Sequence, residues 1–155
     1  MASASIYNLK HVDYSERGRQ IEIIVEGVPK PQTVIFSGTD CFGEKYYFTE
    51  EGLRYVTDSR NERSIQKFVL KHLDKIPTII KTPLFVGRNL ERPDNYLYFK
   101  ESAFKERLFE KLLFAVVLKK SNVNVVWNFY WLNESKVSKT TEIIYKSKGS
   151  AKYLR

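Results

Sequence analysis

The middle of this sequence carries side chains that can move protons and stabilise anionic charge. His72 lies in an apolar helical pattern, Arg88 lies in a glycine-containing turn, and Lys100 and Tyr130 lie in two strand-like runs. An imidazole can serve as general acid or general base, because its ordinary pKa is about 6.5. Guanidinium and ammonium groups stabilise a developing phosphorane, and a phenol can position a phosphate. These four residues are the predicted catalytic set.

One reaction needs only such groups, namely cleavage of RNA by its own 2′-hydroxyl. The protein supplies a base for that hydroxyl, an acid for the leaving oxygen and cations for the phosphorane, without a metal or cofactor. The other histidine, His11, is a further candidate acid or base. The same region also predicts nucleic-acid contacts through the phosphate-clamping and base-stacking residues Arg92, Tyr96, Tyr98 and Asn128.

Each of these residues also has a purely structural interpretation. His72 borders an apolar stripe and can be a partly buried, hydrogen-bonded histidine. The two arginines can be solvated loop charges, and Lys100 can protect an edge strand from pairing. Asn128 and Tyr130 can be internal hydrogen-bond partners on a mostly apolar strand. The sequence leaves both interpretations open.

The elements that must position these residues begin with three strands. The run "QIEIIVE" alternates apolar and polar residues with a period of two, which is typical of a strand. The runs "TVIFSG" and "KYYFT" predict two more strands, and together the three predict an N-terminal β-meander. The two prolines of "GVPKPQ" predict an interruption between the first and second strands, because proline cannot donate to a ladder.

Helices follow the meander, and further strands follow the helices. The run "TEEGLRYVTD" begins with a hydroxyl cap and two acids, and residues 59–77 place apolar side chains three and four apart before Pro77. "NYLYFKE", "LLFAVVLKK", "VNVVWNFYWL" and "TEIIY" predict strands, with a charged, helical connector over residues 102–111. In the third run, Trp127, Phe129 and Trp131 are expected on one face. Asn128 and Tyr130 are expected on the other.

This order of elements predicts an α+β fold, because strands and helices are segregated along the chain. Two or three helices would pack on a C-terminal antiparallel sheet. The 155 residues fit one domain, predicted at 20–146, with a flexible N-terminal arm at 1–19 and a basic tail at 147–155.

Composition restricts the function classes. The formal charge of +8 and the 22 aromatic residues favour a phosphate-bearing partner such as RNA. The single cysteine, Cys41, allows no intrachain disulfide, and no Cys/His cluster predicts a zinc site. No signal peptide and no run of about 18 apolar residues is present, so we expect a soluble, cytoplasmic protein without a membrane partner.

The segment from His72 to Lys136 resembles the phage- and mobile-element-encoded nuclease domains of the barnase, EndoU, colicin and RelE-like fold. The resemblance lies in "KHLDKIPTIIKTPLFVGRN", "NYLYFKE", "LLFAVVLKK" and "VNVVWNFYWLNESKV". It implies an α+β fold and metal-independent endoribonuclease activity, often on transfer RNA. The matching polar positions are His72, Arg88, Lys100, Asn128, Tyr130, Ser135 and Lys136.

The leading hypothesis is therefore a small, toxin-like endoribonuclease that needs no cofactor. Its partners would be RNA, with transfer RNA as one candidate, and an inhibitor protein. The alternatives are a non-catalytic nucleic-acid-binding domain that uses the same basic face, and a protein-interaction module whose aromatic residues bury against a partner. The sequence does not define the oligomeric state.

Overall fold

The computed structural model describes residues 6–58, 65–107 and 110–148. Within these ranges the side chains at 65–68, 103–107, 110–111 and 138 are excluded from the description. The described residues form an eight-stranded sheet with helices packed against it. The predicted fold class, α+β, is confirmed.

The sheet is almost entirely antiparallel. Its strands lie in the order β1-β2-β3-β7-β6-β5-β4-β8, and β3 beside β7 is the one parallel pair, with Tyr47 opposite Val125. The first three strands therefore belong to the same sheet as the last five. The strands are β1 Gln20–Val25, β2 Val28–Thr39, β3 Lys45–Thr49, β4 Phe85–Asn89, β5 Asn95–Arg107, β6 Glu110–Lys120, β7 Asn124–Asn133 and β8 Thr141–Lys146.

The expected interruption at the two prolines is wrong, because β2 runs through both of them. Pro29 lies opposite Ile24 and Pro31 lies opposite Glu22 in the ladder with β1. The pairing of β2 with β3 begins only at Val34. The proline stretch therefore has a strand neighbour on one side only. A missing N–H group is tolerated where it has no second strand to bond.

The helices carry the apolar side chains that cover one face of the sheet. Helix α1 spans Glu50–Asp58, and its first turn is capped by the Thr49 hydroxyl, which accepts from Gly52 N at 3.0 Å. A 3-10 helix spans Ile65–Lys75 and leads directly into α2, Ile76–Lys81. Pro77 was expected to mark the end of the preceding helix, and the 3-10 helix does end at Lys75. Pro77 itself lies in the first turn of α2, where a missing N–H group costs little.

Apolar clusters lie on both faces of the sheet. On the helix face, Phe36, Phe48 and Phe129 are fully buried beneath α1, α2 and the 3-10 helix. On the far face, Phe85 and Phe99 are fully buried with their ring centroids 4.7 Å apart. The connection from β7 to β8 contains a 3-10 turn, Glu134–Lys136, and helix α3, Val137–Thr140, and Val137 is buried in the far-face cluster.

The described part of the expected flexible arm, residues 6–19, packs on the helix face, and residues 1–5 lie outside the described part of the chain. Ile6 is fully buried in the core of that face. Asp13 and Ser37 exchange two backbone hydrogen bonds of 3.0 and 2.9 Å, which attach the segment to β2. Residues 6–19 are therefore part of the folded unit. Most of the predicted basic tail, residues 149–155, lies outside the described residues.

The predicted helical connector between the two central strands is also wrong. β5 and β6 extend as an antiparallel pair to Arg107 and Glu110, so most of residues 102–111 belongs to strands. The charged residues there suggested a solvated connector, but a sheet ladder depends on backbone hydrogen bonds, which charged residues can also form.

Candidate functional site

A cleft of about 710 Å³ lies on the helix face, between the 3-10 helix, α2 and strand β5. It combines two imidazole groups and two ammonium groups with an aromatic floor, and the carboxylate residues Asp74 and Glu101 also line it. The imidazole, ammonium and aromatic groups belong to His11, His72, Lys75, Lys100 and Phe114. The chain contains only two histidines, and both line this one cleft.

The floor of the cleft is a cross-strand row of the sheet. Lys100 on β5 lies opposite Phe114 on β6, and Phe114 lies opposite Trp131 on β7. His72 covers this row from the 3-10 helix. The centroid of its ring is 5.3 Å from that of Phe114 and 6.0 Å from that of Trp131. The sheet register and the helix together bring His72 and Lys100 to the same cleft.

His72 lies at a break in the helical backbone, with φ −118° and ψ 19°. Burial lowers the pKa of His72 below its ordinary value, and Lys75 and Lys71 lower it further while Asp74 raises it. The cleft residues that other elements contribute beside it include Lys100, Glu101 and His11. A lowered pKa keeps an imidazole neutral near pH 7, and a neutral imidazole can accept a proton.

Lys100 is held at the end of α2. Its Nζ donates to the carbonyl oxygen of Thr82 at 2.5 Å, and Thr82 is the C-terminal cap of that helix. A cation at a helix C-terminus is favourable, because the last carbonyl groups have no partner within the helix. This contact uses one of the three donors of the ammonium group while the side chain lines the cleft.

His11 reaches the cleft because the N-terminal segment is fixed on both sides of it. On one side, the Tyr14 hydroxyl accepts from Leu9 N at 2.8 Å and donates to the carbonyl of Ile6. On the other side, Asp13 is paired with β2. The sequence marked His11 as a candidate only by residue type. Its place beside His72 depends on contacts between distant parts of the chain.

The expected turn at Gly87, Arg88 and Asn89 is wrong, because these residues belong to strand β4, and neither Arg88 nor Arg92 lies in the cleft. Arg88 is opposite Tyr96 in the β4–β5 ladder. Tyr96 precedes Lys100 by four residues on β5, and strands rise about 3.3 Å per residue, so Arg88 and Lys100 are well separated along the sheet. Its Nη2 lies 2.6 Å from Glu142 Oε2. Arg92 is exposed in the turn after β4, where its backbone N donates to Asn89 Oδ1 at 3.1 Å. Neither guanidinium lines the cleft with His72.

The expected role of Tyr98 in binding nucleic acid is wrong, because its side chain is fully buried. Its hydroxyl donates to Asp40 Oδ2 at 2.8 Å, and burial together with this carboxylate raises its pKa. Tyr96 is half-buried, and the ammonium of Lys120 lies 4.4 Å from its ring centroid. Lys120 also lies 3.5 Å from Asp40. These residues form an internal polar cluster.

Asn128 and Tyr130 lie on the opposite face of the sheet from His72. The ladder between β6 and β7 shifts by one residue, so that Leu118 faces Val126 while Val117 faces Asn128. This β-bulge places Trp127 and Asn128 on the same face, and Tyr130 packs with the far-face cluster. The expected separation of Asn128 and Tyr130 from Phe129 and Trp131 is observed, but Trp127 lies on the opposite face from Phe129. Tyr130 does not join His72 and Lys100.

Ser135 and Lys136 lie in the 3-10 turn after β7 and are exposed. The Ser135 backbone N and hydroxyl both donate to Asn133 Oδ1, at 3.3 and 3.2 Å. This is a local cap of the turn, and neither residue lines the cleft. Of the ten predicted site residues, the cleft therefore brings together His72 and Lys100, and it adds His11.

The described residues contain neither a cluster of metal ligands nor a membrane-spanning helix. No group of three or more His, Cys, Asp or Glu side chains that could hold a metal ion occurs there. No helix in the same part of the chain is long and apolar enough to cross a membrane. In comparisons with known proteins, no family model, no curated protein and no solved structure matches the chain.

Proposed function

We propose that this protein is an endoribonuclease whose reaction takes place in the cleft between His11, His72 and Lys100. The observation that carries the proposal is that both histidines of the chain line one cleft together with a lysine. Two imidazoles beside a cation are sufficient for cleavage of RNA by its 2′-hydroxyl, which needs a base, an acid and a positive charge.

His72 is proposed as the general base. Its lowered pKa favours the neutral form that accepts the proton of the ribose 2′-hydroxyl. The 2′-oxygen then attacks the adjacent phosphorus and forms a new P–O bond. As the P–O5′ bond breaks, the 5′-oxygen takes a proton from the acid, for which we propose His11. The products are a 2′,3′-cyclic phosphate and a 5′-hydroxyl.

Lys100 is proposed to stabilise the negative charge on the phosphorane. Its ammonium is held at the cleft by the Thr82 carbonyl, so the charge is in place before the substrate arrives. An electrostatic group that is already oriented does not have to reorganise during the reaction. The formal charge of +8 adds a long-range attraction for a polyanionic substrate.

The expected substrate is taken from the resemblance to the barnase, EndoU, colicin and RelE-like nucleases. Transfer RNA is then a candidate substrate, and an inhibitor protein is a candidate partner. At the level of fold class alone, the α+β fold with its mostly antiparallel sheet supports this proposal. The set of acting residues differs from the sequence expectation, because Arg88 and Tyr130 do not line the cleft.

The test is RNA cleavage by the purified protein in excess chelator. We expect discrete fragments of total or transfer RNA that end in a cyclic phosphate. The variants His11→Gln, His72→Gln and Lys100→Gln should each lose most of this activity while circular dichroism shows an intact fold. The control Lys30→Gln removes an exposed lysine of β2 and should cleave like wild type.

Other outcomes would favour the alternatives. Salt-sensitive RNA retention without any cleavage would support a non-catalytic nucleic-acid-binding domain. Neither cleavage nor retention would support a protein-interaction module. Cleavage that survives all three cleft substitutions would remove the cleft from the proposal.

A further inference from the structure

A second cavity, of about 550 Å³, lies on the other side of His11 and is not used by the proposed reaction. The segment from Lys10 to Asp13 lines it on one side, and Pro77 and Lys81 of α2 line it on the other. Thr78, the residue after Pro77, lines the first cleft. The two cavities are therefore neighbours along α2, and His11 lies at their junction.

The second cavity has the groups that a phosphate requires. Lys10 and Lys81 bring two positive charges, and Asp13 brings one negative charge. Asp13 Oδ1 is already bonded, since it accepts from Ser15 N at 2.8 Å. The hydroxyl-bearing residue Thr39 also lines the cavity. Ammonium and hydroxyl groups in one concave site are typical of contacts to a nucleic-acid backbone.

Tyr46 gives this cavity a fixed hydroxyl. Its side chain is 1% exposed, and it lines the cavity beside Gly38. A side chain at Gly38 would displace it, because a Cβ atom there would lie 2.6 Å from the Tyr46 hydroxyl oxygen. Burial raises the pKa of Tyr46, so the hydroxyl keeps its proton and remains a donor at neutral pH.

We propose that the groove continues past His11 as a phosphate subsite, formed by Lys10 and Lys81, that holds the RNA backbone one nucleotide beyond the cleaved bond. This inference rests on the proposed function for the identity of the ligand. The proposed subsite implies a single-stranded substrate, because one continuous RNA backbone would pass through the two adjacent cavities. It also predicts that a dinucleotide is a poorer ligand than the same dinucleotide with one more phosphate.

The experiment measures binding of 2′-deoxy analogues, which lack the attacking hydroxyl and are not cleaved. Isothermal titration compares a dinucleoside monophosphate with the same molecule carrying an additional 5′- or 3′-phosphate. For wild type, one of the two additional phosphates should tighten binding by roughly fivefold, as expected for partly exposed charge pairs. In Lys10→Gln/Lys81→Gln this gain should disappear. The matched control Lys30→Gln/Lys146→Gln removes two exposed lysines elsewhere and should retain the gain.

The salt dependence of binding gives a second readout. The slope of log K against log salt for the longer ligand should become shallower when Lys10 and Lys81 are both replaced, because the phosphate in the subsite then loses its cationic partners. The subsite would be overturned if wild type bound all three ligands equally tightly. It would also be overturned if the control variant lost as much of the affinity gain from the additional phosphate as Lys10→Gln/Lys81→Gln. RNA cleavage is scored separately. If the protein does not cleave RNA but the additional phosphate still tightens binding, the proposed function is rejected and the phosphate subsite is retained.

Discussion

The imidazole ring of His72 lies 5.3 Å from the ring of Phe114, centroid to centroid, on the helix face of the sheet. This contact takes part of the imidazole out of water and lowers its pKa, and Lys75 lowers it further. We therefore expect His72 to titrate below 6.5, the value of an unperturbed histidine. A histidine NMR titration measures this directly. In Lys75→Gln the pKa should rise, while the more distant Lys30→Gln should leave it unchanged.

The lowered pKa of His72 also determines how the stability and the cleavage rate depend on pH. Because the folded state resists protonation of His72, acidification through the ordinary histidine pKa favours the unfolded state, which binds the proton more readily. Stability should therefore fall as the pH drops below about 6.5, whereas the rate of RNA cleavage should fall only at lower pH, as His72 itself becomes protonated in the folded protein. A cleavage rate that continues to rise on acidification below the pKa of His72 measured by NMR would contradict a basic role for His72.

Tyr14→Phe tests whether the N-terminal segment positions His11. The variant loses the hydroxyl that accepts from Leu9 N and donates to the Ile6 carbonyl. We expect kcat to fall by roughly tenfold to a hundredfold, because a small displacement of a catalytic group is costly. Tyr55→Phe, at a half-exposed tyrosine of α1, is the matched control and should keep its activity. Equal rates in the two variants would show that Tyr14 does not position His11.

Arg88→Ala tests the difference between the sequence expectation and the observed cleft. Arg88 is paired with Glu142 on the neighbouring strand and does not line the cleft. We expect cleavage close to the wild-type rate, in contrast to the loss in Lys100→Gln. Steady-state kinetics on one RNA substrate compares the two variants. A loss in Arg88→Ala as large as that in Lys100→Gln would return the arginine to the active site.

Tyr98→Phe should reduce stability rather than activity. Its hydroxyl donates to Asp40, whose carboxylate is 1% exposed, and removing a partner of a buried charged group costs about 1–3 kcal/mol. Urea denaturation should show this decrease in the free energy of unfolding. Tyr145→Phe changes a half-buried tyrosine of β8 and serves as the control. An unchanged midpoint in Tyr98→Phe would mean that the hydrogen bond contributes little.

Most of the order of elements was predictable from periodicity, but strand β4 and the breaks within elements were not. The alternation in β1 and the cap at Thr49 are local patterns, and both appear in the structure as expected. The bulge in β7 depends on the partner strand, so nothing in β7 alone indicated that Asn128 and Trp127 share a face. This one-residue shift is the reason that Tyr130 is separated from the cleft.

Only the site residues that lie on neighbouring elements at the helix face of the sheet could be predicted from the sequence. His72 and Lys100 were found by residue type and by their elements, and the sheet register brings them together. Tyr98 has the same strand phase as Lys100, but its side chain is buried, with its hydroxyl bonded to Asp40 and its ring centroid 6.4 Å from that of Phe42. His11 could not be placed, because its position depends on a bridge between Asp13 and Ser37 that has no local sequence signal.

The most direct measurement of the central claim uses the fact that the chain has two histidines, so that its NMR spectrum contains two imidazole signals. A 2′-deoxy dinucleotide, which carries one phosphodiester and cannot be cleaved, is titrated into the protein. If His11 and His72 flank one phosphodiester, both signals should shift with the same dissociation constant. A shift of one signal alone, or of neither at saturating ligand, would contradict the account.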